Sequence, residues 1–258
     1  LCRTAQQTAV RLALDLPHAA GEDALRREIL RDHVLRLAVV LPGHFGQSPP
    51  ELPPGWRAGG NAVRRALFGP ACSLPADFPA FASWRDATTT PLAALVRRVD
   101  GLLRPGEASA GRLPRVRPAT ALDPHAAVEN SCAGRASEHP LLGAIEAELG
   151  RGPVWRLMGR MCDLERRLGG DVPEAWCPAP GIAHVAASRG LYSVRAEFAG
   201  DRVAAFARVT PTDHLQAPGG VLERSLATLP ADRAGLAPLL LDILDPCLPI
   251  RLEEAAHA

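Results

Sequence analysis

The chain has 258 residues, of which 29 are basic and 28 acidic, so its formal charge is +1 at pH 7. Every basic residue is arginine, and these arginines are dispersed, which excludes the basic patch typical of nucleic-acid binding. There is no apolar run of about eighteen residues or more that would predict a membrane span. The apolar content of 47% is sufficient for a buried core, and we expect one domain over residues 1–258.

Helical periodicity dominates the apolar pattern. It predicts helices over residues 2–16, 22–41, 60–68, 90–103, 139–150, 153–169, 221–228 and 234–244. Proline and glycine are concentrated near 42–60 and 104–124, which predicts surface loops.

Two clusters of charged residues fall on the predicted helices. Residues 151–167 carry Arg156, Arg160, Arg166 and Arg167, and we interpret this helix as a solvated or partner-facing surface. Asp32 precedes His33 on an earlier helix, and we interpret the two as a solvated or locally bonded pair rather than a catalytic dyad.

One β-hairpin is predicted over residues 190–209, where apolar and polar residues alternate on both sides of a turn at Gly200 and Asp201. Residues 186–190 are assigned to the strand before it. The expected fold class is therefore mostly α within the α+β class, with a core of long helices and a small antiparallel hairpin.

The six cysteines are widely spaced, which fits a reducing cytoplasm better than a disulfide-linked secreted domain. We therefore expect a cytoplasmic protein. Neither Cys-x-x-Cys nor His-Glu-x-x-His occurs, so a zinc knuckle and a metallohydrolase of that type are disfavoured. The four internal cysteines are interpreted as core or incidental residues, because cysteine is often buried; they are Cys72, Cys132, Cys162 and Cys177.

Cysteines also stand near both ends of the chain. Cys2 begins a helical run, and Asp245, Pro246 and Cys247 form a turn sequence near the other end. These two stretches resemble RxCGxCxxAH and DPCxxC of nickel–iron hydrogenase large subunits, where together they supply four thiolates to a Ni–Fe(CN)2CO centre. The resemblance implies that Cys2 and Cys247 are metal ligands in one pocket.

Two internal stretches continue this resemblance in the same order along the chain. Residues 186–191 resemble E-A-P-R-G-x-L and lead to a V-x-P-T match at 209–212, while residues 129–135 partly match E-T-G-x-x-A-R. The first match implies that Arg189 faces the cyanide ligands of the iron. Ser188, in place of the family proline, is assigned to the same cofactor contact. A guanidinium group suits this role because its donors form a fixed fork.

The chain departs from the large-subunit pattern at ligand positions. Ile250 stands where the last cysteine is expected, Gln6 where a histidine is expected, and Glu253 where the cleavage-site histidine is expected. The remaining cysteine would precede Leu1, which is not an initiator methionine, so we expect an N-terminal truncation. Nickel is not expected, because that site needs four soft donors.

The resemblance is greatest to hydrogenase expression/formation proteins of the HupK (HoxV) type, which are shortened relatives of the large subunit. It implies a trimmed large-subunit fold and a non-catalytic scaffold that carries the Fe(CN)2CO unit transiently. The implied partners are the large-subunit precursor and cofactor-delivery maturation proteins.

Other interpretations of these residues stay open. The protein is alternatively a metal-free chaperone that docks the same partners, and a degenerate hydrogenase with residual activity is a weaker third reading because of Ile250. Arg189 alternatively neutralises a carboxylate at a strand end, and Cys2 is alternatively a packing residue.

Overall fold

The computed structural model describes residues 2–17 and 22–251. Two positions used above, Leu1 and Glu253, lie outside the described residues. The helices are α1 (Arg3–Ala13), α2 (Glu22–Leu35), α3 (Leu41–Gly43), α4 (Asn61–Phe68), α5 (Phe78–Ala87), α6 (Pro91–Asp100), α7 (Cys132–Arg135), α8 (Pro140–Leu149), α9 (Pro153–Leu168), α10 (Pro211–Gln216), α11 (Val221–Ala227) and α12 (Ala237–Leu244). The strands are β1 (Ala175–Ala179), β2 (Ile182–Ala187), β3 (Gly190–Ala199) and β4 (Arg202–Val209).

Helix α9 lies at the centre of the main core and packs against α2, α6, α7, α8 and α12. Its Trp155, Met158 and Met161 are fully buried. Gly159 allows α7 to approach closely, since a Cβ atom at that position would lie 2.4 Å from the Cβ of Ala133. The central helix therefore depends on a small residue where the two helices meet.

The four strands form one antiparallel sheet in the order β1-β2-β3-β4. Helix α1 covers one face of this sheet and packs on β1, β2 and β3. Its buried alanines, Ala5, Ala9 and Ala13, recur at intervals of four residues, so they form one stripe along the helix. This stripe packs with Val185 and Val194 in a second apolar cluster.

The predicted helices are confirmed, with differences at their ends. The second predicted helix continues beyond α2 through a π-helical turn, Arg36–Val40, into α3, so that it ends at Gly43. The sequence prediction missed α5, α7 and α10. The predicted loops contain only short elements of their own: part of α3 and a 3-10 turn at Trp56–Ala58 in the first, and one isolated bridge from Arg115 to Glu129 leaving the second.

The predicted hairpin corresponds to β3 and β4, and its turn at Gly200 and Asp201 is confirmed. The sheet is larger than predicted, because β1 and β2 extend it to four strands. The strand assignment of residues 186–190 was wrong in part: Ala187 pairs with Gly190, so Ser188 and Arg189 form the turn between β2 and β3. From this turn both side chains contact Cys2 at the start of α1.

The interpretation of residues 151–167 as a solvated surface was wrong. Arg156, Arg160 and Arg167 are 5%, 4% and 2% exposed, because buried carboxylates neutralise them. Glu129 and Asp245 come from other segments, and Asp163 lies one turn earlier on the same helix. The solvated reading of the Asp32–His33 pair was also wrong, since His33 is fully buried and bonds Asp163 instead.

The internal cysteines divide into two classes. Cys132 and Cys162 are buried, as predicted, whereas Cys72 is half-buried and Cys177 is exposed. Among the helices of residues 2–17 and 22–251, none has the length and apolar character needed to cross a membrane.

Candidate functional site

Cys2 is held at the start of α1 by unusual local geometry. Its backbone is left-handed, with φ of 51°, and its side chain does not cap the helix. The carboxylate of Glu28 on α2 takes over that role by accepting hydrogen bonds from Thr4 N at 2.7 Å and Ala5 N at 3.0 Å. Because the first N–H groups of a helix otherwise lack partners, Glu28 fixes the helix end that carries the thiol.

The turn between β2 and β3 brings two polar side chains to this thiol. Arg189 donates from Nη1 to Cys2 Sγ at 3.2 Å, and Ser188 Oγ lies 3.3 Å from the same sulfur. Ser188 also donates its hydroxyl proton to Asp32 Oδ2 at 3.1 Å. A hydroxyl has one proton, so towards Cys2 its oxygen serves as the acceptor.

Asp245 fixes the C-terminal stretch at the same place. It ends α12 in a left-handed conformation, and its carboxylate is 2% exposed. Oδ1 accepts from Arg189 Nη2 at 3.1 Å and from Arg36, and Oδ2 is 3.1 Å from Arg160 Nη2. The main-chain oxygen of Asp245 accepts from Arg189 Nε at 3.0 Å. One buried carboxylate therefore joins three arginines from separate parts of the chain.

Cys247 follows two residues later, and its backbone N–H donates to Thr212 Oγ1 at 2.9 Å. Cys247 and Cys2 line one cavity of about 120 Å³, together with Arg189 and Gln6. Three of the predicted site residues thus share a cavity, and the fourth, Ser188, contacts the thiol of Cys2. Gln6, at the position where the large subunits have histidine, also faces this space.

The other walls of the cavity come from the sheet and from the segment after β4. Tyr192 on β3 and Arg208 on β4 contribute polar groups, and burial raises the pKa of the Tyr192 hydroxyl. Within the part of the chain that the structure describes, there is no group of three or more His, Cys, Asp or Glu side chains arranged to hold a metal ion. Any metal bound here would depend on the two thiols and on its own ligands.

The charge at Arg189 is fixed by its neighbours. Burial alone would lower the pKa of this guanidinium, but the negative charge of Asp245 and interactions with Cys2 outweigh it and raise the pKa. Arg189 therefore stays a cation at the cavity wall. The alternative reading, in which Arg189 neutralises a carboxylate, has a contact behind it, whereas a role of Arg189 towards cyanide stays a prediction.

A buried polar network extends from the site into the core. Arg160, which contacts Asp245, also lies 3.3 Å from His33 Nδ1, and His33 Nε2 is 2.7 Å from Asp163. Burial lowers the pKa of His33 despite that carboxylate. Burial alone would raise the pKa of Asp163, but Arg135 and His33 hold it well below its usual range. The site is therefore tied to the central helix by charge.

Residues 129–135 stabilise the part of the sheet that adjoins the site. Asn130 bonds the backbone of Leu191 twice, accepting from its N–H at 2.6 Å and donating to its oxygen at 2.9 Å. This pair fixes the first residues of β3 immediately after the Ser188–Arg189 turn. Glu129 in the same segment pairs with the buried Arg156 at 3.1 Å.

Several residues of the site were missed from the sequence. Asp245 was identified only as a turn former, and Glu28, Arg36, Arg160 and Arg208 were not identified as site residues. The sequence offered little signal for them, because each acts through a partner far away along the chain.

A curated relative from Rhodobacter capsulatus, described as the hydrogenase expression/formation protein HupK, is 46% identical over 259 aligned positions. The alignment covers the whole chain and 83% of the relative. The chain belongs to the HupK family of hydrogenase expression/formation proteins. The family predicted from the four short motifs is thus confirmed. No protein-family profile and no solved structure matches this HupK-family chain, so the trimmed large-subunit fold stays a prediction.

Proposed function

We propose that this HupK-family protein takes part in hydrogenase formation as a non-catalytic carrier of the Fe(CN)2CO unit. In this proposal the unit is a cargo, held before its transfer to the hydrogenase large subunit. The observation that carries the proposal is that Cys2 and Cys247, from opposite ends of the described chain, line one cavity beside Arg189. The partners are then the large-subunit precursor and the proteins that deliver the cofactor, and the expected compartment is the cytoplasm.

The chemistry of the cavity suits such a cargo. Thiolates are soft ligands that match an iron carrying cyanide and carbon monoxide. Arg189 supplies fixed positive charge and N–H donors, which favour the anionic nitrogen end of a cyanide ligand. At about 120 Å³ the space is of the same order as the cavity of about 150 Å³ that accommodates benzene, so its size suits a small polyatomic cargo.

The same donors are poorly suited to nickel. The family resemblance assigns four thiolates to the nickel–iron centre, whereas this cavity offers the thiols of Cys2 and Cys247. Ile250 supplies no donor at the position of a third. Fewer ligands mean weaker capture, and weaker capture favours a protein that must release its cargo.

Infrared spectroscopy tests the proposal directly. The protein is purified without oxygen from a host that contains the maturation machinery, and cyanide and carbonyl bands are expected with iron but without stoichiometric nickel. Cys2→Ser and Cys247→Ser should lose or weaken these bands. Cys177→Ser is the matched control, because its thiol is exposed and lies outside the cavity. Absence of bands in the wild type, or loss in the control alone, would contradict the carrier role.

A metal-free docking chaperone is the second candidate, and the exposed apolar side chains of the β3–β4 hairpin favour it. The two functions differ in what Cys247 contributes. If Cys247→Ser leaves hydrogenase maturation unchanged in cells, docking is favoured over carrying. Loss of maturation with normal binding to the large-subunit precursor favours the carrier.

A further inference from the structure

The outer edge of strand β4 is suited to pairing with a further strand, whereas the outer edge of β1 is not. Both are edge strands, and within residues 2–17 and 22–251 each pairs with one neighbour. Strand β1 contains Pro178, and its pairing is irregular between Trp176 and Ala179. These are features that block the addition of another strand. Strand β4 has eight residues and no proline. Its pairing with β3 shifts register between Val203 and Ala205, close to the turn, but is regular from Ala205 to Val209, so this second stretch offers a regular edge.

The hairpin also leaves an apolar face open. Phe198, Val203 and Phe206 are 49%, 46% and 48% exposed. Phe198 pairs with Val203, and Phe206 pairs with Ala196, so the register places all three on the face that carries the buried Val194. Helix α1 packs on that face nearer the centre of the sheet. The tip of the hairpin therefore extends an apolar surface beyond its helix.

The charges on β4 indicate what fits along it. Arg202 and Arg208 stand at either end of the apolar run Val203–Ala207, and the strand contains no acidic residue. The register places Arg208 on the face of Val194, and Arg202, which is next to Val203, on the opposite face. Two copies of β4 paired antiparallel would gather the arginines of both strands along one edge with no carboxylate from either strand, and the repulsion between like charges disfavours a second copy. Carboxylates on a different strand would complement both arginines.

We propose that the β4 edge binds an extended segment of a partner protein, with alternating apolar side chains and a carboxylate near each end. Backbone hydrogen bonds along the edge give affinity in this mode of recognition, and alternate side chains give specificity. The partner strand would lie beside β4, and its apolar side chains on one face would extend the surface formed by Phe198, Val203 and Phe206. Since Arg208 also lines the thiol cavity, a partner bound here lies beside that cavity. The inference deepens the docking function considered above, on which it rests, by naming the chemistry of the partner segment, and it needs no cargo.

Peptide binding to the full-length protein tests the inference. The probe is a fluorescent peptide of alternating valine and threonine with a glutamate at each end. Anisotropy should give a dissociation constant on the order of 10–100 µM, equivalent to about 5.5–7 kcal/mol. A peptide flanked by arginines, and one N-methylated at alternate residues, should each bind at least about tenfold more weakly. Equal binding by all three peptides would overturn the proposal.

Two variants locate the binding to the edge. Phe206→Glu should weaken binding at least about tenfold, whereas Val172→Glu, a control of similar exposure before the sheet, should not. Arg202→Glu reverses one flanking charge. It should therefore weaken binding of the glutamate-flanked peptide and strengthen binding of a peptide with an arginine at that end. The opposite effects of Arg202→Glu on these two peptides test the proposal even if Phe206→Glu fails to fold.

Self-association is the competing occupant. A dimer in light scattering that Arg202→Glu strengthens or Phe206→Glu abolishes would assign the edge to a second copy and overturn the proposal. Infrared bands from the cargo should be unchanged in Arg202→Glu, so failure of this inference and failure of the carrier role are distinguishable.

Discussion

Arg189 and Asp245 are joined by two hydrogen bonds, one to the carboxylate at 3.1 Å and one to the main-chain oxygen at 3.0 Å. The third nitrogen of the same guanidinium donates to Cys2 Sγ. One side chain therefore ties the two ends of the described chain to each other. Lysine has no planar fork and cannot make these three contacts from fixed positions.

The first prediction concerns the order of stability losses around Asp245. Asp245→Asn should cost about 3–5 kcal/mol, because it leaves buried arginines without their counter-charge. Arg189→Ala should cost less, about 1–3 kcal/mol, since Arg36 and Arg160 still neutralise the carboxylate. Urea unfolding measures both. Arg166→Ala breaks a pair that is half exposed and should cost under about 1 kcal/mol. Equal costs for all three variants would contradict the central role of Asp245 in this cluster of charges.

The second prediction separates the two thiols. Cys2 is buried and bonded to Arg189, while Cys247 is half-buried. We therefore expect Cys2→Ser to remove the cyanide and carbonyl bands, and Cys247→Ser to reduce them by a smaller factor. Infrared spectra of matched preparations measure this. The reverse order, with Cys247 the more important, would show that burial and the arginine contact do not determine retention.

The third prediction concerns the start of α1. Glu28→Ala should lower stability by about 0.5–2 kcal/mol, because two N–H groups of the first turn lose their acceptor. The thiol of Cys2 should then react faster with an aromatic disulfide reagent, since the helix end that holds it frays. Glu28→Gln keeps an acceptor oxygen and should lose less. Glu148→Ala, an exposed position on α8, is the control and should change neither quantity.

The fourth prediction is a pH dependence that originates at His214. Burial lowers its pKa below the ordinary 6.5. Its Nδ1 accepts from Asn130, whose amide cannot turn over because it bonds Leu191 through both ends. A proton on Nδ1 of His214 would place its N–H against the N–H group of Asn130, so that two donors would face each other. The unfolded chain therefore takes up a proton more readily, and stability should fall as the pH drops below about 6.5.

The slope should reach up to about 1.4 kcal/mol per pH unit from this residue. Urea unfolding between about pH 7.5 and 5 measures it. His33 and His184 also have pKa values lowered by burial and add to the total. The plot of unfolding free energy against pH should be flatter for His214→Gln than for the wild type, and the difference is the contribution of His214. The exposed His125, changed to Gln, should leave the curve unchanged; identical curves for wild type and His214→Gln would reject the assignment.

The sequence predicted those elements whose local pattern is strong. Strands β3 and β4 alternate clearly around a two-residue turn, and α9 has an unbroken apolar stripe. Strands β1 and β2 were largely missed because both are rich in alanine and β1 also contains Pro178, and neither residue type favours a strand in isolation. Helix α10 follows Pro211 and has only six residues, too few for a periodic pattern.

Charge pairing was the part that the sequence could not supply. Arg160 and Arg156 fall on a helix with the composition of a solvated surface, and nothing within that helix identifies Asp245 and Glu129 as their partners. The cysteines at the ends were found through family resemblance, which specifies residue types in order. The aspartate that holds one end in place becomes evident only when folding brings three arginines to it.

The contact of Asp245 with Arg36, Arg160 and Arg189 also has a consequence for biosynthesis. All three guanidinium groups belong to segments that leave the ribosome before residue 245. Until then, bringing these segments together sets three like charges beside one another without the one carboxylate that contacts all three. This repulsion opposes association of the three arginine-bearing segments before Asp245 has been synthesised. A copy that stops short of the Asp-Pro-Cys turn would retain the repulsion permanently.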